Sequence, residues 1–178
     1  MNPALAIRHI YLSTGHSYVG RHGLGSVPRP ITEAAAVEGV AGRGLRGDRF
    51  FDHKENYKGQ ITLFSAEVFD EMRAALELPL ASPAALRRNL IVEGADLNTL
   101  IGRQFTLQGL MLEGTEECRP CYWMDRAIAP GAHEFLKGRG GLRAKILCDG
   151  ELRSTAQLIG LRDQHFVVAS PFTREREG

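Results

Sequence analysis

The 178-residue chain has the length of one ordinary domain, and its 22 Lys and Arg nearly balance its 21 Asp and Glu. This balance leaves no basic excess that would attract nucleic acid or an anionic membrane, so an anion site must be local. The sequence contains no run of about 18 apolar residues that would predict a membrane span, and it starts without a signal-peptide pattern. The three cysteines are too few for a disulfide framework and favour a reducing, cytoplasmic location.

Glycines and prolines divide the chain into short segments, a pattern typical of all-β or α+β proteins. A first strand is predicted over residues 5–12, and a loop over residues 15–30 is expected to border a site. Residues 31–40 include an alanine run that suits a helix. The alternation from Val37 to Val40 favours a strand instead, and residues 43–49 then predict a glycine-spaced loop.

Three helical segments are predicted after the first sixty residues. The clearest covers residues 65–76, because Ser65 is a good N-cap and an apolar face follows it. A short turn is predicted at 84–88 after a Ser-Pro pair, and a further helix at 130–137. The remaining predicted strands are residues 60–64, 89–93, 105–107, 110–112, 142–148, 151–153 and 165–168. Short strands with few helices favour a mostly β, α+β fold, a barrel or sandwich, over a doubly wound parallel sheet.

Cys118 and Cys121 have the spacing at which two thiols can bind one metal, exchange a disulfide or bias each other's ionisation. A structural zinc site usually needs four ligands, and no second paired motif supplies them. A thioredoxin-like role is disfavoured because it needs a strand-to-helix junction in an α/β setting. Two buried, inert cysteines are a substantial alternative. Charged neighbours such as Arg119 indicate a surface or cleft, where a guanidinium favours the thiolate, so a reactive thiolate is the favoured interpretation.

Two arginine-containing segments are candidates for anion binding. Arg87-Arg88-Asn89 could clamp a phosphate or carboxylate, although taken alone it is better explained as solvated surface charge. Gly138-Arg139-Gly140-Gly141 could bring backbone N–H groups close to an anion, although most such turns are only turns. The six histidines show no metal-binding spacing, and the absence of a Gly-x-Ser-x-Gly motif disfavours a serine hydrolase.

Several short motifs follow one another in a fixed order between about residue 39 and residue 150. They are Gly44-Leu45-Arg46-Gly47-Asp48-Arg49, Gln60-Ile61-Thr62-Leu63, Arg87-Arg88-Asn89-Leu90-Ile91-Val92-Glu93-Gly94, Leu100-Ile101-Gly102, Cys118-Arg119-Pro120-Cys121 and Gly138-Arg139-Gly140-Gly141-Leu142-Arg143-Ala144. This ordered set resembles the MOSC domain, the module named after the C-terminal part of molybdenum cofactor sulfurases, in its stand-alone bacterial type. The resemblance implies a single domain over residues 1–178 with a β-barrel-like fold and a few short helices.

The resemblance also implies a function, namely binding of the molybdenum cofactor or carriage of sulfur. In the family's cofactor-binding members the key cysteine is the second of the pair, which makes Cys121 the catalytic thiolate and the metal contact. Cys118 is a supporting catalytic candidate. The implied pocket for the pterin phosphate of molybdopterin, a small anionic ligand, gives these cofactor-binding candidates: Arg87, Arg88 and Asn89, and more weakly Arg46, Asp48 and Arg139.

Partners and alternatives follow from the same resemblance. Full-length sulfurases carry a desulfurase domain that binds pyridoxal phosphate, and nothing in this sequence resembles it, so a desulfurase partner would supply sulfur. One alternative is molybdenum-dependent reduction of N-hydroxylated compounds with a reductase partner, as the resemblance suggests for some relatives. Another is a non-catalytic module with structural cysteines that binds a metabolite or a protein. The segment from Gly150 to Ala156 departs from the family pattern, so a different C-terminal closure is expected.

Overall fold

The computed structural model describes residues 4–17, 27 and 29–155, which form ten strands and three α-helices. The strands are β1 (Ala6–Leu12), β2 (Thr32–Glu33), β3 (Ala36–Val40), β4 (Gly44–Leu45), β5 (Ile61–Ser65), β6 (Leu90–Glu93), β7 (Gln104–Leu107), β8 (Leu110–Glu117), β9 (Leu142–Ile146) and β10 (Gly150–Arg153). The helices are α1 (Ala66–Ala75), α2 (Trp123–Ala127) and α3 (Ala132–Phe135), with 3-10 helices at Pro83–Leu86 and Leu97–Leu100.

Seven strands form one curled sheet in the order β2-β1-β6-β5-β9-β8-β7, and β10, β3 and β4 form a smaller second sheet. Strands β5 and β6 pair in parallel, and the other paired strands are antiparallel. The antiparallel pairing of β8 with β9 brings the end of β8 beside the start of β9. The ends of β1 and β8 and the starts of β6 and β9 therefore lie along one edge of the structure.

The main hydrophobic core lies between the two sheets, where side chains from both meet. Because side chains alternate along a strand, Ile61 and Leu63 of β5 enter this core while Phe64 points to the opposite face. That opposite face is covered by the helices, with Phe69 and Met72 of α1 packed against it. The central strands are thus buried on both faces, which explains their continuous apolar sequence.

Helix α1 begins where its sequence predicts. The Ser65 hydroxyl accepts a hydrogen bond from the Val68 N–H at 3.1 Å, which satisfies one of the free N–H groups of the first turn. The helix connects β5 to its parallel neighbour β6 and crosses the outer face of the sheet between them. It therefore fixes the position of the loop that precedes β6.

The predicted mostly β, barrel-like fold is confirmed by this curled sheet with its few short helices. Residues 31–40 form strands, as favoured, and the helical alternative for them is wrong. The predicted loop at 43–49 contains the two-residue strand β4, which pairs with β3. The turn predicted at 84–88 is the 3-10 helix Pro83–Leu86, and the strand predicted at 165–168 lies outside the described residues.

Two elements at the cysteine motif differ from the sequence prediction. Strand β8 continues to Glu117, well past residue 112, because its second half still pairs with β9. Helix α2 was not predicted, since Tyr122 at its N-cap makes no side-chain capping hydrogen bond. The cysteine motif consequently joins a strand directly to a helix.

Candidate functional site

A cleft of about 270 Å³ opens at the edge of the large sheet where β8 ends. Both cysteines of the Cys118-Arg119-Pro120-Cys121 motif line it. Five arginines also line it, and no carboxylate does among the described lining residues: the arginines are Arg49, Arg87, Arg88, Arg119 and Arg143. The cleft therefore combines thiols with an excess of positive charge, the arrangement that suits an anionic ligand.

The two cysteines differ in depth within the cleft. Cys118 directly follows β8 and is buried, with 6 % of its surface exposed, and its N–H donates to the Gly141 carbonyl at 2.7 Å. Cys121 is exposed, and its carbonyl accepts a hydrogen bond from the Met124 N–H at 2.9 Å. The strand-to-helix junction that the sequence did not predict thus presents one thiol outward and holds the other inside.

Arg88 and Gly140 fix the backbone of the motif. The Arg88 guanidinium donates to the carbonyls of Cys118 at 3.0 Å, Gly140 at 3.2 Å and Leu86 at 2.9 Å. Gly140 packs against the same turn, because a Cβ there would lie 2.4 Å from the Cys118 carbonyl oxygen and 2.7 Å from Pro120 Cδ. One arginine therefore connects three segments, and a residue larger than glycine does not fit beneath the motif.

Arg87 and Asn89, the neighbours of Arg88, play different parts. The Arg87 guanidinium lines the cleft and donates to the Gly15 carbonyl at 2.7 Å and the Ser13 hydroxyl at 2.9 Å, which ties the loop after β1 to the site. Asn89 is fully buried and does not line the cleft. Its amide oxygen accepts hydrogen bonds from the N–H and hydroxyl of Thr62, at 3.0 and 2.9 Å. Asn89 therefore holds the strands beneath the site together.

The structure does not bring Arg46, Asp48 or Arg139 to the cleft lining. Arg46 is exposed and pairs with Glu38. Asp48 is buried and accepts N–H hydrogen bonds from Ser13 at 3.2 Å and Phe50 at 3.1 Å, so it stabilises the loop behind the site. Arg139 pairs with Glu71 at 2.8 Å and lines a separate cavity of about 410 Å³ beside α1.

Arg49 and Arg143 line the cleft although neither is among the sequence candidates. The Arg49 side chain is only 9 % exposed, donates to the Arg87 carbonyl at 3.0 Å and lies 3.4 Å from Asp48. Burial lowers the pKa of Arg49, and the charge of Asp48 only partly offsets this. Both arginines lie within motifs that carry the family resemblance, and this was the one feature of the sequence that could have identified them as site residues. Their positions in those motifs do not show which side chains face inward.

Arg143 and Cys118 line the same cleft, and the Arg143 guanidinium is close enough to interact with the Cys118 side chain. Burial alone would lower the pKa of Arg143, but its interactions with Cys118, Tyr57 and Glu116 together outweigh burial, and the pKa is raised. On its outer side the Arg143 guanidinium lies 3.5 Å from the Glu116 carboxylate. The inner thiol of the cleft therefore has a guanidinium as its direct neighbour.

His16 lines the cleft, in agreement with the expectation that the loop after β1 borders a site. Its ring meets the Phe50 ring edge-on, with centroids 5.1 Å apart. Partial burial lowers the pKa of His16, and the positive charge of Arg49 and the neighbouring His53 lower it further. The lowered pKa favours the neutral form of the imidazole.

The family model of the MOSC domain matches residues 47–157, well over half of the chain. The chain belongs to the MOSC domain family. All five cleft arginines and both cleft cysteines lie within the matched residues, whereas His16 precedes them. The MOSC domain thus supplies most of the site, and the preceding segment supplies one side of its rim.

Solved structures show the same fold at low sequence identity. The YUAD protein from Bacillus subtilis is 20 % identical with a TM-score of 0.63, covering 84 % of this chain and 91 % of its own. YiiM from Geobacillus stearothermophilus is 14 % identical with a TM-score of 0.58, covering 84 % and 71 %. YiiM from Escherichia coli is 12 % identical with a TM-score of 0.56, covering 87 % and 67 %. No curated protein matches the chain in sequence.

Two further observations concern the described part of this MOSC protein. Within residues 4–17, 27 and 29–155, no group of three or more His, Cys, Asp or Glu side chains is arranged to hold a metal ion. No helix in that part of the chain is long and apolar enough to cross a membrane.

Proposed function

We propose that this MOSC protein binds the molybdenum cofactor or carries sulfur for it, with the Cys121 thiolate facing the metal or the transferred sulfur. The observation that carries the proposal is the cleft itself, in which an exposed thiol lies among five arginines. Thiolate is the form of cysteine that binds metals and attacks sulfur, and guanidinium groups favour it. They also provide the forked donors that suit a phosphate.

The positive charge of the cleft is only partly balanced by its surroundings. Arg88 donates to three carbonyl oxygens, which satisfy its N–H groups without neutralising its charge. Arg119 is exposed at the mouth of the cleft. Asp48 lies behind Arg49, and Glu116 lies on the outer side of Arg143. An anion that enters the cleft therefore meets guanidinium groups first.

The residues present fit a pterin cofactor with a terminal phosphate. The cleft, about 270 Å³, lies just below the ~300–1,000 Å³ range of small-molecule sites, so part of such a ligand would remain outside. A single protein thiolate suffices for a metal that the cofactor already ligates. Cys121 would face the metal, and Arg87 and Arg119 would hold the phosphate. When bound, the group would supply redox chemistry or accept sulfur at molybdenum.

His16 and the accessibility of Cys121 support the proposed thiol chemistry. His16 lines the same cleft as Cys121, and its lowered pKa favours the neutral imidazole, the form that can act as a base toward a thiol. The exposed position of Cys121 also allows contact with a sulfur-donating desulfurase or a reductase partner. A reducing, cytoplasmic location would keep both cleft thiols reduced.

The proposal is tested with Cys121→Ser and the matched control Cys148→Ser, because Cys148 is a thiol that does not line the cleft. The purified full chain is incubated with molybdenum–pterin cofactor or with inorganic polysulfide, and bound metal and intact mass are measured. We expect Cys121→Ser to lose both the bound molybdenum and the mass increase from added sulfur, and Cys148→Ser to retain both. If Cys121→Ser leaves both unchanged, the proposal is wrong.

The rate of alkylation separates the proposal from a non-catalytic binding module. A Cys121 thiol that alkylates slowly, and only above about pH 8.5, the reference thiol pKa, would indicate structural cysteines. Fast alkylation at pH 7 that is lost in Cys121→Ser is the result we expect. Inorganic phosphate should slow this alkylation in the wild type, and less so in Arg119→Ala than in the control Arg139→Ala.

A further inference from the structure

The two thiols of the motif line the same cleft but differ in access to solvent. Cys121 is exposed to a sulfur donor, whereas Cys118 is buried, with only 6 % of its surface exposed. The proposed sulfur-carrying function uses only Cys121, so a second cleft thiol is left without a part in it. Its position behind the accessible thiol suggests that it acts after sulfur has been loaded.

The two cysteines of the motif are close together in the chain, line one cleft and have backbones fixed by hydrogen bonds. At one end, Cys118 is fixed by its hydrogen bond to the Gly141 carbonyl at 2.7 Å and by the Arg88 guanidinium at 3.0 Å. At the other end, the Cys121 carbonyl receives the Met124 N–H at 2.9 Å. Only two residues lie between the thiols, a spacing at which cysteine pairs can form a disulfide.

Cys118 also lies in surroundings that support a nucleophilic sulfur. Arg49 and Arg143 line the same cleft as Cys118, and both guanidinium groups are close enough to interact with its side chain. The same positive charge would stabilise an anion that leaves into the cleft. An inert, structural cysteine needs neither feature. Cys148 illustrates this contrast, since it accepts a hydrogen bond from the Met111 N–H and lies away from the cleft arginines.

We propose that Cys118 is a resolving thiol that discharges a persulfide carried on Cys121, an inference that rests on the proposed sulfur-carrying function. The Cys118 thiolate attacks the Sγ atom of Cys121, and a disulfide bond forms between the two Sγ atoms. The bond from Cys121 Sγ to the outer sulfur breaks, and its electron pair leaves with the outer sulfur as hydrosulfide. The proton of the Cys118 thiol passes to solvent.

The electrons balance within this step. The outer sulfur is reduced from the sulfane to the sulfide level, and the two cysteines are oxidised to a disulfide, so no external oxidant is required. Hydrosulfide is released as an anion among the cleft arginines, where it would be available to an electrophilic acceptor. Two electrons from an external thiol reductant then return the pair to the dithiol state.

The experiment loads the reduced full-length chain with inorganic polysulfide, removes the excess by desalting and follows intact mass and free sulfide with time. In the wild type we expect the added sulfur to disappear as equimolar sulfide appears, leaving a mass two hydrogens below that of the dithiol. Peptide mapping should find the disulfide between Cys118 and Cys121. The control Cys148→Ser should behave as the wild type.

Cys118→Ser is the decisive variant, with Cys118→Ala as a second substitution should the hydroxyl disturb the buried position. Both variants should form the persulfide on Cys121 and retain it, so that neither sulfide nor the disulfide appears. Circular dichroism should show that both variants keep the wild-type fold. If either folded variant releases sulfide at the wild-type rate, or the wild type keeps its persulfide, the inference is wrong and sulfur carriage stands. If the wild type takes up no sulfur, sulfur carriage and the inference fail together.

Discussion

Replacing Gly140 with alanine tests whether packing beneath the cysteine motif sets the reactivity of its thiols. The added Cβ would lie 2.4 Å from the Cys118 carbonyl oxygen, whereas ordinary contact begins at 3.4 Å, so the two must separate by about 1 Å (3.4 minus 2.4). The obstructing oxygen belongs to backbone, so no side-chain rotation relieves the contact. The 3.0 Å hydrogen bond from Arg88 to the same oxygen would lengthen or break.

We expect Gly140→Ala to lower the free energy of unfolding by about 1–3 kcal/mol, the usual cost of overpacking, and to change the alkylation rate of Cys121. Gly138→Ala is the matched control in the same loop. Its Cβ meets nothing within 4 Å, but its φ of +72° costs roughly 1 kcal/mol, so stability should fall without a change in alkylation. Urea unfolding and alkylation kinetics measure both effects. Wild-type stability and alkylation in Gly140→Ala would refute the reasoning.

Two further predictions concern residues that support the site, and a third concerns the start of α1. Arg88→Lys keeps the positive charge but loses the guanidinium that donates to three carbonyls, so urea unfolding should show a free energy of unfolding lower by about 1–3 kcal/mol. Unchanged stability would contradict the proposed role of Arg88 in joining these segments. Asn89→Ala leaves the buried Thr62 N–H without its acceptor and should lower the free energy of unfolding by about 3 kcal/mol. A decrease below about 0.5 kcal/mol, the usual effect of a surface substitution, would count against a structural role for Asn89. Burial raises the pKa of Glu67, but hydrogen bonds from the Gly94 N–H and the Ser65 hydroxyl lower it more, so its folded-state pKa lies below the ordinary value. The ionised Glu67 carboxylate therefore stabilises the fold above its unfolded-state pKa, and this stabilisation is lost as pH falls through the folded-state pKa. In Glu67→Gln the free energy of unfolding should decline less steeply between about pH 5 and pH 3 than in the wild type. The same pH profile in both proteins would contradict this prediction.

The sequence predicted the parts of the fold that depend on local chemistry. The alternation from Val37 to Val40 predicted a strand, which the structure shows as β3. Ser65 predicted the start of α1, and its hydroxyl accepts a hydrogen bond from the Val68 N–H there. Helix α2 lacks a side-chain cap and has only five residues, so no local signal marked it. The strand-to-helix junction at Cys121 was missed for that reason.

The members of the site were harder to predict because they come from distant parts of the chain. Arg46 and Arg49 lie in the same loop, yet Arg46 pairs with exposed Glu38 and Arg49 enters the cleft. The path of the loop decides this, and sequence spacing does not reveal it. Arg143 joins the cleft only because β9 pairs beside β8 and brings its first residues next to Cys118.

The position of β9 in the large sheet has a consequence for how the protein is made. β9 lies between β5 and β8 in the sheet, although it follows both of them in the chain. The edges of β5 and β8 that pair with β9 therefore stay unpaired until residue 146 has left the ribosome. Until then, the nascent chain presents two unpaired apolar strand edges, which are templates for aggregation. We therefore expect slow, late closure of the sheet during synthesis, with the arginine-lined cleft among the last features to form.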